Sequence, residues 1–571
     1  MKRLLKHLKK YTLESILAPL FKLFEAALEL IVPLVVAVII DDAIGGGDKG
    51  YAVILSLVLV LLGLIGLGFS VVAQYCAAKA SVGFITSVRT SLFSHLQTLS
   101  YSDVDRIGTS TMITRMTTDA NILQTGLNLS LRLLSRSPIV VFGAMIMAFT
   151  IDSYAGGIFA AVIPLLSVIV FGIMIITMPM YKRVQGGVDK ILGRTRENLA
   201  GVRVIRAFGK EDDEFERFKE ENSLLTKQQK RVGHISALMN PLTYAIINLA
   251  LILLIDVGAL RVNSGNLTQG EVIALYNYMS QILIELIKLA NLIITITKAL
   301  ASASRISSVF DITPTQAFGD RTKGVDNTPA VDFNNVFLSY NGGENSISGI
   351  SFKAERGETV GIIGGTGSGK STLVNLISRF YDATDGAIYL FGAPIKEYTK
   401  SALTSKIGVV PQKAVLFSGT IRDNMRWGNP DAKDDEIMAA LKIAQAEGVA
   451  RDKGGLDGKV EAGGKNFSGG QRQRLTIARA LVSDPDILIL DDSASALDFA
   501  TDAALRAAIK ELKNKTVFIV SQRASSVMYA DKIIVLDDGE CVDIGTHEEL
   551  IARSPIYKEI YESQYKKEAA V

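Results

Sequence analysis

Cysteine is nearly absent: Cys76 and Cys541 are the only two in 571 residues. They lie in different halves of the chain, which excludes a disulfide framework and fits a reducing compartment around the second half. Histidine is scarce too. His7, His95, His234 and His547 cluster neither with one another nor with the cysteines, so no zinc site is expected. An excess of one charge is also lacking: 61 Lys and Arg stand against 58 Asp and Glu, a net charge of +3. Overall electrostatics therefore give no case for a nucleic-acid partner. The basic opening MKRLLKHLKK has no short apolar stretch ending in a small-residue cleavage site, so it reads as a cytoplasmic amphipathic lead-in rather than a signal peptide.

What is abundant is apolar sequence, and it is unevenly spread. Long hydrophobic runs fill the first half of the chain, whereas the second half alternates in ordinary α/β fashion. The pattern predicts a polytopic α-helical membrane domain at residues 1–310, a turn-rich linker at 311–329 and a cytosolic α/β domain at 330–571. Six transmembrane helices are expected, near residues 13–40, 52–73, 137–151, 155–180, 237–260 and 272–299. The third reaches spanning length only if it starts nearer Leu123, through a segment carrying Arg132 and Arg136.

The connections alternate in charge. Residues 45–50, 152–154 and 262–270 hold almost no Lys or Arg, while the long connections 100–136 and 182–231 are rich in both. The positive-inside rule then puts the long connections, both termini and the α/β domain in the cytoplasm of a multi-pass cell (plasma or inner) membrane protein. The long connections are themselves helical in pattern, with turning points near 103–109 and 207–214, and the second half of the chain is their expected partner.

Several spans carry charge at bilayer depth. Lys22, Glu25 and Glu29 fall at i, i+3 and i+7 on one helix face, and Glu285 with Lys288 repeats the i, i+3 spacing in the last span. Such groups cost several kcal/mol unless they face a polar interior or each other. Two readings stay open: a translocation cavity in which Glu25, Glu29 and Glu285 meet small hydrophobic or cationic substrates, and ion pairs that lock helices together.

In the second half, TVGIIGGTGSGKSTLVNLI carries a complete phosphate-binding loop, Gly364, Gly365, Thr366, Gly367, Ser368, Gly369, Lys370 and Ser371, with Thr372 opening the next turn. A strand precedes it and a helix follows, which is the context the motif needs. Backbone N–H groups approach the phosphates, Lys370 reaches the β and γ oxygens, and the Ser371 hydroxyl faces Mg²⁺. Further on, DILILDDSASALD delivers Asp491 to the end of an apolar strand, where an open parallel sheet holds nucleotide and Mg²⁺. In FSGGQRQR a helix opens with free backbone N–H groups suited to a γ-phosphate. That helix does not easily reach its own phosphate loop, so the phosphate it serves is expected on a second copy or partner.

Phosphate loop, FSGGQ signature and LILD strand together closely resemble the ATP-binding cassette, and with six spans in front the whole chain resembles a half-transporter of the ATP-binding cassette exporter family. The resemblance implies ATP and Mg²⁺ as cofactors, with the lipid bilayer and a second half-transporter as partners. It implies that Tyr340 stacks on adenine, and that Gln412 touches Mg²⁺ beside Ser371 and Asp491. Ser468, Gly469, Gly470 and Gln471 would cap the opposite nucleotide, and Ser495, Ala496, Leu497 and Asp498 would cross the dimer interface.

Two positions depart from the family pattern. Asp492 stands where the catalytic Glu is usual, and Gln522 where the switch His is usual. Removing one methylene withdraws the carboxylate by about 1.5 Å, and a misplacement of ~1 Å can cost on the order of 10²-fold in rate. Gln522 can donate a hydrogen bond but cannot carry a proton or a positive charge. The stretch EAGGKN at 461–466 also lacks the usual Gly-Glu order. The pattern resembles the degenerate-site subunit of a heterodimeric multidrug exporter; a slowly hydrolysing homodimeric exporter and a nucleotide-gated regulator or channel are the alternatives.

Overall fold

A computed structural model describes residues 2–565 and separates into two compact units. One comprises residues 1–97 and 110–312, the other residues 98–109 and 313–571. The linker expected at 311–329 thus belongs almost wholly to the second unit: the Arg321 backbone pairs with Glu397, and Val325 N donates to Phe391 O.

The first unit holds six helices long and apolar enough to cross a membrane, all among the described residues: Arg3–Ile44, Lys49–Leu96, Thr109–Ile151, Ser153–Ala200, Glu211–Asn263 and Gln269–Phe310. The third does begin well before residue 137, as its length demanded. The second and fourth are 48 residues each, about 72 Å at 1.5 Å per residue, against a hydrocarbon core of ~30 Å. The surplus is the helical extension expected from the long connections.

Short connectors work because each supplies a helix cap. Asp48 accepts from Gly50 N and Tyr51 N at the start of the second helix, and Asp152 accepts from Tyr154 N and Ala155 N at the start of the fourth. Thr268 and Glu271 form a capping box at the start of the sixth. These side chains satisfy N–H groups that a helix cannot satisfy itself. Asp152 also pairs with Arg261, which lies over the Tyr154 ring, so two of the connectors are tied together.

Among the described residues the second unit holds twelve strands: β1 (Val331–Ser339), β2 (Asn345–Ala354), β3 (Thr359–Gly364), β4 (Asp385–Leu390), β5 (Ala393–Pro394), β6 (Ile407–Val410), β7 (Gly419–Thr420), β8 (Lys459–Val460), β9 (Ile487–Asp491), β10 (Thr516–Val520), β11 (Lys532–Asp537) and β12 (Glu540–Gly545). The main sheet has the order β12-β11-β3-β10-β9-β6, and an antiparallel sheet has the order β2-β1-β4-β5. From β11 to β6 the main sheet is parallel, with only β12 antiparallel. The ILILD run of β9 is buried at every position, as a strand covered on both faces requires. Register fixes the site: Val520 of β10 pairs with Asp491 on one side and Ile362 on the other, so the ends of β3 and β9 flank the same strand.

Residues 98–109 of the first long connection fold with this second unit. Their centre is a helix, Tyr101–Ile107, opened by a capping box of Ser100 and Asp103. The sequence placed a turn near 103–109; the chain does turn there, at Gly108, and also earlier, at 97–100. The reason is the cap: Ser100 and Asp103 satisfy the first N–H groups and start a helix where a bend was expected.

Candidate functional site

The end of β3 feeds directly into the phosphate loop and the helix Lys370–Ile377. Gly367 and Gly369 hold φ values of +87° and +91°, a conformation that costs other residues and turns the loop back over the sheet end. Around this loop lies a cavity of about 330 Å³. It brings together Thr366, Gly367, Gly369, Lys370, Ser371, Thr372, Gln412, Asp491, Asp492 and Gln522 from four separate segments.

Lys370 is buried, and its Nζ donates to Gly364 O at 3.0 Å, to Gly365 O and to Ser368 Oγ at 3.3 Å. Burial pushes its ammonium below the ordinary lysine value, against the pull of Asp492 and Asp491. A cation resting on its own loop carbonyls is ready to exchange them for phosphate oxygens. Ser371 Oγ donates to Asp491 Oδ1 at 3.2 Å. Burial pushes the Asp491 carboxyl above its ordinary range, with the Ser371 hydroxyl acting the other way.

A desolvated carboxylate next to a hydroxyl, with the Gln412 amide on the same cavity, is an all-oxygen donor set that suits Mg²⁺. Among the described residues no group of three or more His, Cys, Asp and Glu gathers as a metal site. The donors present fit an ion completed by substrate phosphates and water, which is the usual habit of Mg²⁺.

Asp492 sits beside Asp491 at φ +47°, a left-handed conformation that Asp and Asn tolerate better than most residues. Its N–H donates to Val520 O at 3.0 Å, and its carbonyl accepts from Ser495 N and Ser495 Oγ. Gln522 is exposed to the cavity. The backbone around it is gripped by Gln564 in the helix Pro555–Tyr565: Gln564 Nε2 donates to Gln522 O at 2.8 Å, and its Oε1 accepts from Ala524 N at 2.9 Å.

The remaining sequence candidates do not line this cavity. Tyr340 stands one residue back, its hydroxyl donating to Thr372 Oγ1 at 3.3 Å and its ring edge-on to Tyr381 at 5.0 Å. Tyr381 in turn donates to Asp105 Oδ2 at 2.5 Å, in the capped helix Tyr101–Ile107. Ser468 caps the helix Gly469–Val482 and exchanges hydrogen bonds with Gln471; Ser468 and Gly469 are exposed. A Cβ on Gly470 would meet Ala496 O at 2.9 Å, so the signature and the 495–498 loop are neighbours. Ser495, Ala496 and Asp498 are exposed and Leu497 is buried.

Sequence reasoning missed Asn345, Ser346, Asp538 and Gly539, which also line the cavity. The Asp538-Gly539 pair was a readable hairpin signal, both residues having positive φ. Gln564 and Tyr381 carried no such signal.

In the membrane unit the charged candidates find partners. Lys22 Nζ donates to Glu25 Oε2 at 2.5 Å and to Ser70 Oγ at 3.0 Å. Arg136 bridges two helices, donating to Glu29 Oε2 at 2.5 Å and to Glu285 Oε1 at 2.6 Å. Ser137 Oγ and Lys288 Nζ complete the shell around Glu285 at 2.7 and 2.9 Å. Glu285 and Arg136 are buried, while Glu29 remains partly exposed.

A phosphate loop, a strand-end aspartate and a capped signature helix on a parallel α/β unit, joined to six membrane-spanning helices, define a multi-pass P-loop translocase. The comparisons with known proteins agree. Residues 15–286 match the ABC transporter transmembrane region and residues 347–495 match the ABC transporter model. An uncharacterized ABC transporter ATP-binding protein of Mycobacterium tuberculosis is 36% identical over 569 residues, covering 98% of this chain and 97% of that protein. The ATP-dependent lipid A-core flippase of Haemophilus influenzae is 29% identical over 536 residues, covering 92% and 90%. The fold is that of a bacterial Atm1-family ABC exporter solved with ATP bound, at TM-score 0.78 and 24% identity over 98% of both chains. The chain belongs to the ABC transporter family, with transmembrane and nucleotide-binding domains in one polypeptide, the half-transporter arrangement. ATP binding, ATP hydrolysis and ATP-driven export are the class of activity these findings support.

Proposed function

We propose that this chain is the weakly hydrolysing half of a heterodimeric exporter that moves hydrophobic or amphipathic compounds, drugs or lipids among them, out of the cytoplasm. The carrying observation is the pairing of Asp492 and Gln522 on one cavity with Lys370, Ser371, Gln412 and Asp491. The Haemophilus influenzae relative, a lipid A-core flippase, supports an amphipathic substrate. The long connections, both termini and the nucleotide unit face the cytoplasm in this reading.

Lys370 and the loop N–H groups hold the β and γ phosphates, and Tyr340 backs the base. Ser371, Asp491 and Gln412 would hold Mg²⁺, which when bound supplies charge neutralisation on the phosphates. Asp492 is left to orient the attacking water. It is one methylene short, so it holds that water too far from the γ-phosphate and turnover here is slow. Gln522 steadies the γ-phosphate by one neutral hydrogen bond, without the charge or proton that a histidine brings. Ser468 and Gly469, exposed and unused in their own cavity, serve the partner's nucleotide. Residues 495–498 cross to it beside them.

The test contrasts two positions that a homodimer would treat alike. In the reconstituted heterodimer at saturating ATP, Ser468→Arg should nearly abolish hydrolysis, because one such donor contributes about 2.7 to 4 kcal/mol at comparable electrostatic sites. Lys370→Ala disables only the slow site's phosphate contacts; it weakens nucleotide occlusion and coupling but should leave more residual hydrolysis than Ser468→Arg. Equal damage from both substitutions, or a monodisperse homodimer of this chain with full ATPase activity, would overturn the division of labour.

A further inference from the structure

A second cleft in the nucleotide unit is larger than the phosphate cavity. It measures about 550 Å³, within the usual range for small-molecule sites. Its floor is apolar, formed by Leu512, Val517 and Ile519. One wall is the helix Phe499–Lys510, which continues directly from Asp498; the other is the segment 524–531, which continues from Gln522.

The charged groups of this cleft are mostly basic: Arg506, Lys510, Lys513 and Lys515 stand against one acid, Asp531. Lys510 and Lys513 are exposed at its rim and form no ion pair among the described residues. Lys515 is already committed to Asp484, and the one acid of the lining, Asp531, already accepts from Thr359 N. Arg506 donates to Ser525 O and pairs with Asp502, yet its buried Nε has no acceptor. Ser526, 3% exposed, has a hydroxyl with no partner. Buried donors without acceptors are uncommon and costly, and a small turn of either side chain toward the cleft would let a ligand atom satisfy it. At the rim Tyr529 is 67% exposed, with the Arg506 guanidinium 5.9 Å from its ring centre.

We infer that this cleft is a binding site for a small anion with a flat aromatic body, separate from the ATP site. The aromatic body lies on the apolar floor beside Tyr529, and the anionic head accepts from Lys510 and Lys513, with an oxygen turned toward Ser526 and Arg506. A cation meets four basic side chains against one acid, and a neutral aromatic leaves both rim ammonium groups unused.

The probe is 1-naphthalenesulfonate, titrated calorimetrically into the full chain in lipid nanodiscs, with neutral 1-naphthalenesulfonamide as the comparison. We expect one saturable sulfonate site per chain and binding of the sulfonamide at least about 10-fold weaker, the ratio that loss of charge-assisted hydrogen bonds gives. The double variant Lys510→Glu/Lys513→Glu should weaken the sulfonate by at least about 10-fold while moving the sulfonamide by less than about 2-fold. Retained ATP affinity reports that this variant is folded; if ATP affinity is lost, Ser526→Ala replaces it, with an expected weakening of about 3- to 10-fold. Absence of saturable binding up to about 1 mM, the weak limit for a specific small-ligand site, overturns the site. So does wild-type sulfonate affinity in the folded variant, which would place the probe in the membrane unit instead.

Discussion

The two long connections of the membrane unit are built alike and finished differently. In the first, residues 98–109 fold as part of the nucleotide unit. Asp103, 1% exposed, accepts from Ser100 and Thr315; Tyr101 packs on Phe380 at 4.5 Å, and Asp105 receives the Tyr381 hydroxyl. In the second, the short helix Val202–Ala207 has no buried residue, and Leu199, Val204 and Phe208 are 72%, 60% and 75% exposed. One tip is packed within the nucleotide unit; the apolar side chains of the other are exposed among the described residues. Under the proposed dimer, the exposed apolar groups of the second tip are where a partner subunit would pack.

The largest effect should come from the bare tip. Phe208→Asp should cut transport by the assembled complex by about 30-fold or more, the loss expected when an apolar interface anchor of at least 2 kcal/mol is replaced by a charge. The melting temperature of the separate chain should hardly move. Wild-type transport rates in vesicles would show that this tip is merely solvated and that the contrast has no functional meaning.

Asp103→Ala strikes the finished tip. It removes the Asp103 half of the capping box and leaves the buried Ser100 hydroxyl and the Thr315 N–H without their acceptor, at a cost of about 2 kcal/mol. Cleavage by a protease between residues 97 and 109 should therefore accelerate well before the rest of the chain opens. Unchanged cleavage would mean that packing of Tyr101 alone holds the tip.

A smaller change is expected for Tyr381→Phe, which keeps the ring against Tyr340 and deletes only the hydrogen bond to Asp105, about 1 kcal/mol. ATP affinity should stay within about 2-fold while the ATPase response to transported substrate drops by about 5-fold, the equivalent of that energy. An affinity loss with an intact response would make Tyr381 a support for the base only.

Acid gives the gentlest handle. Burial raises the Asp103 carboxyl, but hydrogen bonds from Ser100 and Thr315 outweigh it and leave the group below its ordinary value. A carboxyl lowered on folding stabilises above its unfolded value, near pH 4, and that share is lost as pH falls through the folded value. The difference in tip protection between the wild type and Asp103→Asn should be flat above about pH 5 and shrink below about pH 4. A difference that grows with acid would contradict the assignment.

The membrane helices and the nucleotide cavity were legible for different reasons. Apolar runs announce spans because a bilayer demands about 20 such residues in a row, and the third span announced even its own extension through Arg136. The phosphate loop, Asp491, Gln412 and Gln522 were readable because each lies in a short motif whose neighbours in sequence are its neighbours in space. The Arg136 bridge from Glu29 to Glu285 was not. Its ends lie 107 and 149 residues from Arg136, and periodicity on one helix says nothing about which other helix will face it. The Tyr381 bond to Asp105 and the Gln564 grip on the Gln522 loop, 276 and 42 residues apart, were hidden for the same reason. The capped helix at Tyr101–Ile107 is another case: Ser100 and Asp103 spelled a start signal that was read as a bend.

The second membrane helix runs from Lys49 to Leu96 without a proline and is followed within a few residues by the capped helix Tyr101–Ile107. Mechanically it is a lever. With 48 residues it is about 72 Å long, and a tilt of about 5° about one end carries the other through about 6 Å, roughly one helical turn. Small angular adjustments at one end of such a stiff arm become sideways displacements at the other that are large enough to part or close packed helices.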